Sequence, residues 1–161
     1  LRTGGVIGRA ISTIINPANL KIDGWHVSSE GERDTMILPA LEVRDIISKG
    51  IVVNDHDAIT PVEDMVRMKD TIDADYSLIG KKVTNENGET LGTVKDYAVE
   101  DKSLFIKKLY VTQSIFRSII RLTKSQLIID RTQIIDVTRS KIIVREATEK
   151  TANQNAAPAS A

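Results

Sequence analysis

Residues 88–96 read GETLGTVKD, and residues 104–111 read LFIKKLYV. Each stretch places apolar residues near every second position, which is typical of a half-buried strand. Glycine adopts positive φ without steric cost, so we expect Gly88 in a turn. Gly92 lies inside the following strand, where it allows a close approach of another backbone or a sharp coil of the strand. Together the two stretches predict a turn and two consecutive strands.

The same construction occurs near the start of the chain. With a shift of 84 residues Gly4 aligns with Gly88 and Gly8 with Gly92, and the shift later becomes 91. Seven extra residues therefore lie between the two matched blocks of the second copy, and we predict an internal duplication with one insertion. The apolar matches are Ile7–Leu91, Ala10–Val94, Leu20–Leu104, Ile22–Ile106 and Val27–Val111, then Ile37–Ile128, Val43–Ile134, Ile46–Val137, Ile51–Ile142 and Val53–Val144.

One strand breaks its alternation at the same place in both copies. Its apolar residues are Leu20, Ile22, Trp25 and Val27, which match Leu104, Ile106, Leu109 and Val111. A β-bulge at the break predicts that all eight side chains face inward. The strand at 79–84, which precedes the turn in the second copy, would fall before Leu1 in the first. We expect it upstream of this sequence or supplied by something else.

Composition excludes several classes of protein. The 161 residues include no cysteine, so disulfides and thiolate chemistry are excluded, and no apolar run reaches the roughly 18 residues of a membrane span.

The net charge is zero, but the charges are unevenly distributed. Residues 1–75 carry eight basic and thirteen acidic side chains, and residues 76–161 carry fourteen basic and nine acidic ones. This pattern fits two solvated surfaces of opposite sign, different partners for the two halves, or self-association.

The second copy resembles the PRC-barrel, a small β-barrel found in the photosynthetic reaction-centre H subunit and in a maturation factor of the small ribosomal subunit. The residues that carry the resemblance are Gly88, Leu91, Gly92, Val94, Asp96, Ile106, Leu109 and Val111, with 128–129, 133–134, 137 and 142–144 as closing strands. The first copy matches more loosely, since Ser12 stands in the place of Asp96. The resemblance implies non-enzymatic adaptor modules that bind proteins, sometimes beside RNA or membranes.

We therefore predict a mainly β chain of two tandem PRC-barrel-like domains, residues 1–57 and 76–147. A linker at 58–75 is expected to contain a short helix, because Thr60 and Glu63 form a capping box around Pro61. Val62, Met65 and Val66 would line one face of that helix. Residues 148–161 lack apolar periodicity, which predicts a flexible tail.

The local clusters favour structural roles over chemistry. Asp55, His56 and Asp57 have metal-ligand types, but adjacent residues on a strand point to opposite faces, so a solvated turn is expected. His26 is expected to be a half-buried strand residue beside the core residue Trp25. The sequence contains no Walker motif or nucleophile elbow. We predict no catalytic residues, no cofactor and no metal.

The insertion of the second copy is the candidate partner-binding segment. Around residues 114–124 it pairs an apolar helical face with a basic one, which favours either a structural lid or docking to a protein groove or an anionic surface. The candidate residues are Ile115, Phe116, Arg117, Ile119, Ile120, Arg121 and Lys124. Nucleic acid is not expected as a direct ligand, because the domain is not strongly basic and lacks a recurring surface aromatic platform.

The function that we predict is a cytoplasmic, non-enzymatic adaptor or scaffold that binds another protein. Two alternatives stay open: a ribosome-assembly factor, and a peripheral membrane or photosynthetic-complex subunit with weak membrane contact. A second copy of this chain is a further candidate partner. The sequence identifies neither the partner nor the packing of the two barrels.

Overall fold

The computed structural model describes residues 4–29, 34–113 and 126–145. These residues are mainly β with one short α-helix, as predicted. The first copy contains β1 (Arg9–Asn16), β2 (Lys21–Ser28), β3 (Met36–Pro39), β4 (Val43–Ile47) and β5 (Gly50–Val53). The linker contains β6 (Thr60–Pro61) and α1 (Lys69–Asp73). The second copy contains β7 (Lys82–Asn85), β8 (Thr90–Val99), β9 (Ile106–Gln113), β10 (Gln126–Asp130), β11 (Ile134–Val137) and β12 (Lys141–Val144).

The five strands β1–β5 recur in the same order as β8–β12, but the two sets form different sheets. In the second copy all six strands form one sheet in the order β10-β9-β8-β7-β12-β11, with β7 and β12 parallel. The first copy forms the sheet β1-β2-β3-β6 and a separate hairpin of β4 and β5. The predicted closed barrels are not found among the described residues, because the six-stranded ladder ends at β10 and β11.

The predicted bulges are confirmed. The β1–β2 pairing skips Asp23, and the β8–β9 pairing skips its counterpart Lys107. A further pair of matched bulges lies at Ile11 and Lys95. The inward positions that flank the bulges are all buried, as expected from the restored alternation: Leu20, Ile22, Trp25, Val27, Leu104, Ile106, Leu109 and Val111.

The glycine predictions also hold. Gly4 and Gly88 have φ of 64° and 83°, the region that favours glycine. A Cβ on Gly92 would lie 2.2 Å from the Thr112 carbonyl oxygen, and one on Gly8 would lie 2.9 Å from that of Ser28. Gly92, inside β8, and Gly8, directly before β1, therefore each allow close packing against the neighbouring strand.

The two copies pack against each other around one apolar core. Its buried residues come from both, for example Trp25 and Leu38 from the first and Val83 and Ile142 from the second. The Ile22 amide donates to the Leu104 carbonyl at 3.0 Å, and the matched Ile106 amide donates to the Leu20 carbonyl at 2.9 Å. The boundaries 1–57 and 76–147 stay predictions.

This reciprocal pairing defines a local pseudo-twofold axis. Close to such an axis, a residue of one copy contacts its own counterpart in the other. Lys21 and Phe105 are counterparts under the shift of 84, and they form an isolated β-bridge. The same shift pairs Thr13 with Tyr97, whose hydroxyl groups lie 2.9 Å apart. The two matched parts of the chain are therefore arranged locally like the subunits of a symmetric dimer.

The linker begins differently from the prediction. Thr60 and Pro61 do not start a helix but pair with β3 as β6. Proline suits this edge position because it has no amide to leave unpaired. Two single turns of 3₁₀ helix follow, and α1 begins only at Lys69, so the capping-box prediction was wrong although the short helix exists. Among the described residues no helix is long and apolar enough to cross a membrane.

Candidate interaction surface

The first sheet buries apolar residues on both of its faces. Ile15 and Leu38 belong to the common core, whereas their neighbours Ile14 and Ile37 are buried but lie outside it. Successive residues of a strand point to opposite faces, so Ile14 and Ile37 lie on the outer face of this sheet. Something other than the core must therefore cover them.

The linker provides that cover. β6 extends the first sheet beside β3, and α1 contacts β1. A Cβ on Gly24 would lie 3.2 Å from the methyl carbon of Met68, so the glycine admits the linker close to the sheet. The linker thus acts as a structural layer over the first copy.

The corresponding face of the second copy is open among the described residues. Ile128 is 41% exposed, whereas its counterpart Ile37 is 0% exposed. The counterpart of Gly24 is Lys108, an exposed lysine in place of a covered glycine. We call the surface formed by Ala98, Lys108, Tyr110 and Ile128 the outer face.

The outer face lies on the strands that flank the insertion. β9 ends at Gln113 and β10 begins at Gln126, so the predicted contact segment connects two strands of this face. The candidate residues themselves lie outside the described residues: Ile115, Phe116, Arg117, Ile119, Ile120, Arg121 and Lys124. Their role stays a prediction, as does the tail at 148–161, which also lies outside.

Next to the outer face, the carboxylate of Asp130 is hydrogen-bonded within a turn at the end of β10. Asp130 pairs with Lys108 across β10 and β9. It accepts hydrogen bonds from the Thr132 amide at 3.0 Å and the Thr132 hydroxyl at 2.9 Å. These hydrogen bonds, with a smaller effect of Lys108, lower the pKa of Asp130. The carboxylate therefore stays ionised beside the lysine at neutral pH.

The other sequence candidates have structural contacts. Asp55 accepts a hydrogen bond from the Asp57 amide at 3.1 Å and caps an exposed turn that contains His56. His26 is half-buried in β2, as predicted, with its Nδ1 3.0 Å from the Ser12 hydroxyl. In the described part of the chain no group of three or more His, Cys, Asp or Glu side chains comes together.

A shallow pocket of about 260 Å³ lies between the copies. Its lining residue Arg131 donates a hydrogen bond to the Asn19 carbonyl at 2.8 Å. The same guanidinium lies 4.5 Å from the ring centroid of Phe105, and the Lys21 amine lies 5.8 Å from it. These contacts hold the two copies together, so we assign the pocket to the internal interface.

A mainly β chain with a repeated strand order and an open sheet face belongs to the class of small β-domain proteins. The profile of the PRC-barrel domain matches residues 70–150, half of the chain, and the chain belongs to the PRC-barrel family. Domains of this family mediate protein interactions. A comparison with curated proteins found no match. The profile covers the second copy, and the assignment of the first copy as another such domain stays a prediction.

Sequence reasoning missed the outer face, although a signal for it was present. The duplication aligns Gly24 with Lys108 at an outward position. At this position the first copy has a glycine, which leaves room for a covering segment, and the second copy has a lysine, whose charge needs solvent. The difference indicates that this side of the sheet is covered in the first copy and exposed in the second. The inward apolar positions alone do not indicate whether the outward side of a sheet is covered.

Proposed function

We propose that this protein is a non-enzymatic adaptor that binds another protein through the outer face of its second copy and the adjoining insertion. The observation that carries the proposal is the exposure of Ile128 at the position where the matched Ile37 is fully buried under the linker. A contiguous exposed apolar patch with a polar rim is characteristic of an interaction site, and Ile128 lies opposite the half-buried Tyr110 on this face.

The charge around this surface indicates the chemistry of the partner. On the outer face the basic Lys108 lies opposite the acidic Asp130, and the adjoining insertion at 114–124 contains three basic residues and no acidic one. A partner with acidic residues around an apolar anchor would complement this surface. Its association rate should fall as the salt concentration rises, because rim charges mainly steer the encounter. The predicted cytoplasmic location belongs to this proposal.

The experiment begins with site-specific photo-crosslinking in a native extract. One full-length variant carries the photoreactive residue at position 128 and a matched control carries it at position 135. Ile135 is an exposed isoleucine on the other edge strand, with 45% exposure. We expect a protein that crosslinks from position 128 and not from position 135.

The captured protein is then purified and its affinity measured with substituted chains. Ile128→Asp is expected to weaken binding about tenfold or more, as for a central contact residue, and Phe116→Asp with Ile120→Asp to do the same. Ile135→Asp should leave the affinity within about twofold. Equal losses for positions 128 and 135 would reject the site, and crosslinking only to ribosomal particles or salt-labile binding to anionic vesicles would favour the alternative functions.

A further inference from the structure

The linker forms a groove along its own surface. Its two 3₁₀ turns, Val62–Asp64 and Val66–Met68, are followed directly by α1, and residues of all three elements line a hollow of about 310 Å³. The apolar side chains that line the hollow are Val62, Met65, Val66 and Ile72. We call this hollow and its charged rim the linker groove.

The apolar lining of the groove is open to solvent. Val66 is 78% exposed and Val62 is 37% exposed, and Met65 and Ile72 are half-buried. Met68, by contrast, reaches the first sheet. A single exposed apolar residue is ordinary on a protein surface, but a concave group of them is characteristic of an interaction site. Packing of the linker against the first sheet therefore leaves this apolar surface for another use.

The rim of the groove is acidic. Glu63, Lys69 and Asp73 contribute to it, and residues 58–75 together carry five acidic and two basic side chains, all of them exposed. Among the described residues none of the five carboxylates has a salt-bridge partner. Charge complementarity therefore favours a basic partner over an acidic one.

The extent of the groove indicates a polypeptide rather than a small molecule. Its volume is at the lower end of the range for small-molecule pockets. Glu63 belongs to the first 3₁₀ turn and Asp73 to the end of α1, so the carboxylates are distributed along the linker beyond the hollow itself. An amphipathic helix fits such a surface, because it places apolar anchors on one face and charged residues beside them.

We infer that the linker groove binds a basic amphipathic segment of another protein. The apolar residues of that segment enter the hollow, and its lysine or arginine side chains lie against the exposed carboxylates. No residue that lines the groove belongs to the outer face, so this inference goes beyond the proposed function and does not depend on it.

The test measures binding of a fluorescent peptide to the full chain by fluorescence anisotropy. The peptide has about 14 residues, only leucine and lysine, with the leucines on one helical face. We expect saturable binding that weakens as salt is added. Val62→Gln with Val66→Gln should raise the Kd about tenfold or more, because both valines supply apolar lining. Glu63→Gln with Asp73→Asn should raise it about fivefold, because two rim charges are lost.

Matched controls change equally exposed residues elsewhere. Leu41→Gln removes an apolar side chain that is 94% exposed, and Asp34→Asn with Asp101→Asn neutralises two exposed carboxylates. Each control should leave the Kd within about twofold of the original value. Ile128→Asp should do the same, which separates this result from the test of the outer face. The exposed valines of the groove can be replaced without unfolding the chain, and an unchanged urea midpoint verifies this.

Equal Kd values for the original chain and the double valine variant would overturn the inference. Equal losses in the groove variants and in their controls would also overturn it, as would equal binding of the same peptide with glutamate in place of lysine. Absence of saturation up to about 1 mM peptide would have the same meaning. Self-association of the original chain that the double valine variant loses, measured by light scattering, would instead assign the groove to a second copy.

Discussion

The two copies share a strand path but are covered on opposite sides. In the first copy the linker covers the face of the sheet that carries Ile14 and Ile37, and no strand among the described residues joins β1 to β5. The second copy has its core side closed by β7 and its outer face open among the described residues. Two parts of the chain with matched strands thus present different surfaces around one shared core.

The largest effect should appear when a core residue of β12, which pairs with β7, and its counterpart in β5, which has no such neighbour among the described residues, are truncated. Ile142→Ala is expected to lower the free energy of unfolding by about 2–5 kcal/mol, because this fully buried residue leaves a cavity. Ile51→Ala should cost about 1 kcal/mol, since its side chain is only half-buried. Urea unfolding of the two variants measures the difference. Losses that agree within about 0.5 kcal/mol would show that the two copies are equally closed.

The parts of the fold that the sequence predicts depend on local signals present in both copies. The bulges at Asp23 and Lys107 follow from the broken alternation, and the positive φ of Gly4 and Gly88 follows from residue type and turn position. Recurrence at a fixed shift separates such signals from chance patterns.

The remaining features depend on long-range contacts. Local capping rules favoured a helix at Thr60, but pairing of β6 with β3 draws that residue into the sheet. Packing of the copies through Leu20 and Leu104 was also outside the prediction. Both leucines have positive φ, 52° and 59°, which leucine adopts only at a cost, while their carbonyls accept the reciprocal hydrogen bonds across the axis. The predicted contact residues of the insertion, outside the described part, remain to be tested.

A smaller effect is expected from Tyr76, which precedes β7. Its hydroxyl is buried and has no hydrogen-bond partner among the described residues, and burial raises its pKa to about 12. The unfolded chain ionises this group near pH 10, so it then binds fewer protons than the folded chain. Its contribution to stability is therefore complete below pH 10 and is lost as the pH rises toward 12.

Comparison with Tyr76→Phe isolates this contribution, because the other titrating groups are shared. Between pH 8 and pH 11 the original chain should lose about 1 kcal/mol more unfolding free energy than the variant. At pH 7 the variant should be as stable as the original chain or more so, since no partner among the described residues loses a hydrogen bond. Parallel pH profiles in urea unfolding would contradict the assignment of a raised pKa.

The smallest effect concerns the axis that joins the copies. The hydroxyl groups of Thr13 and Tyr97 form the 2.9 Å hydrogen bond between matched positions. A double-mutant cycle of Thr13→Val and Tyr97→Phe should give a coupling energy of about 1 kcal/mol, typical of a partly buried neutral hydrogen bond. Tyr110→Phe serves as the control, because Tyr110 lies on the outer face and should show no coupling with Thr13. A coupling near zero at Tyr97 as well as at Tyr110 would mean that this hydrogen bond does not form in solution, and that the axis is held by the reciprocal backbone hydrogen bonds of Leu20 and Leu104 and by the common core.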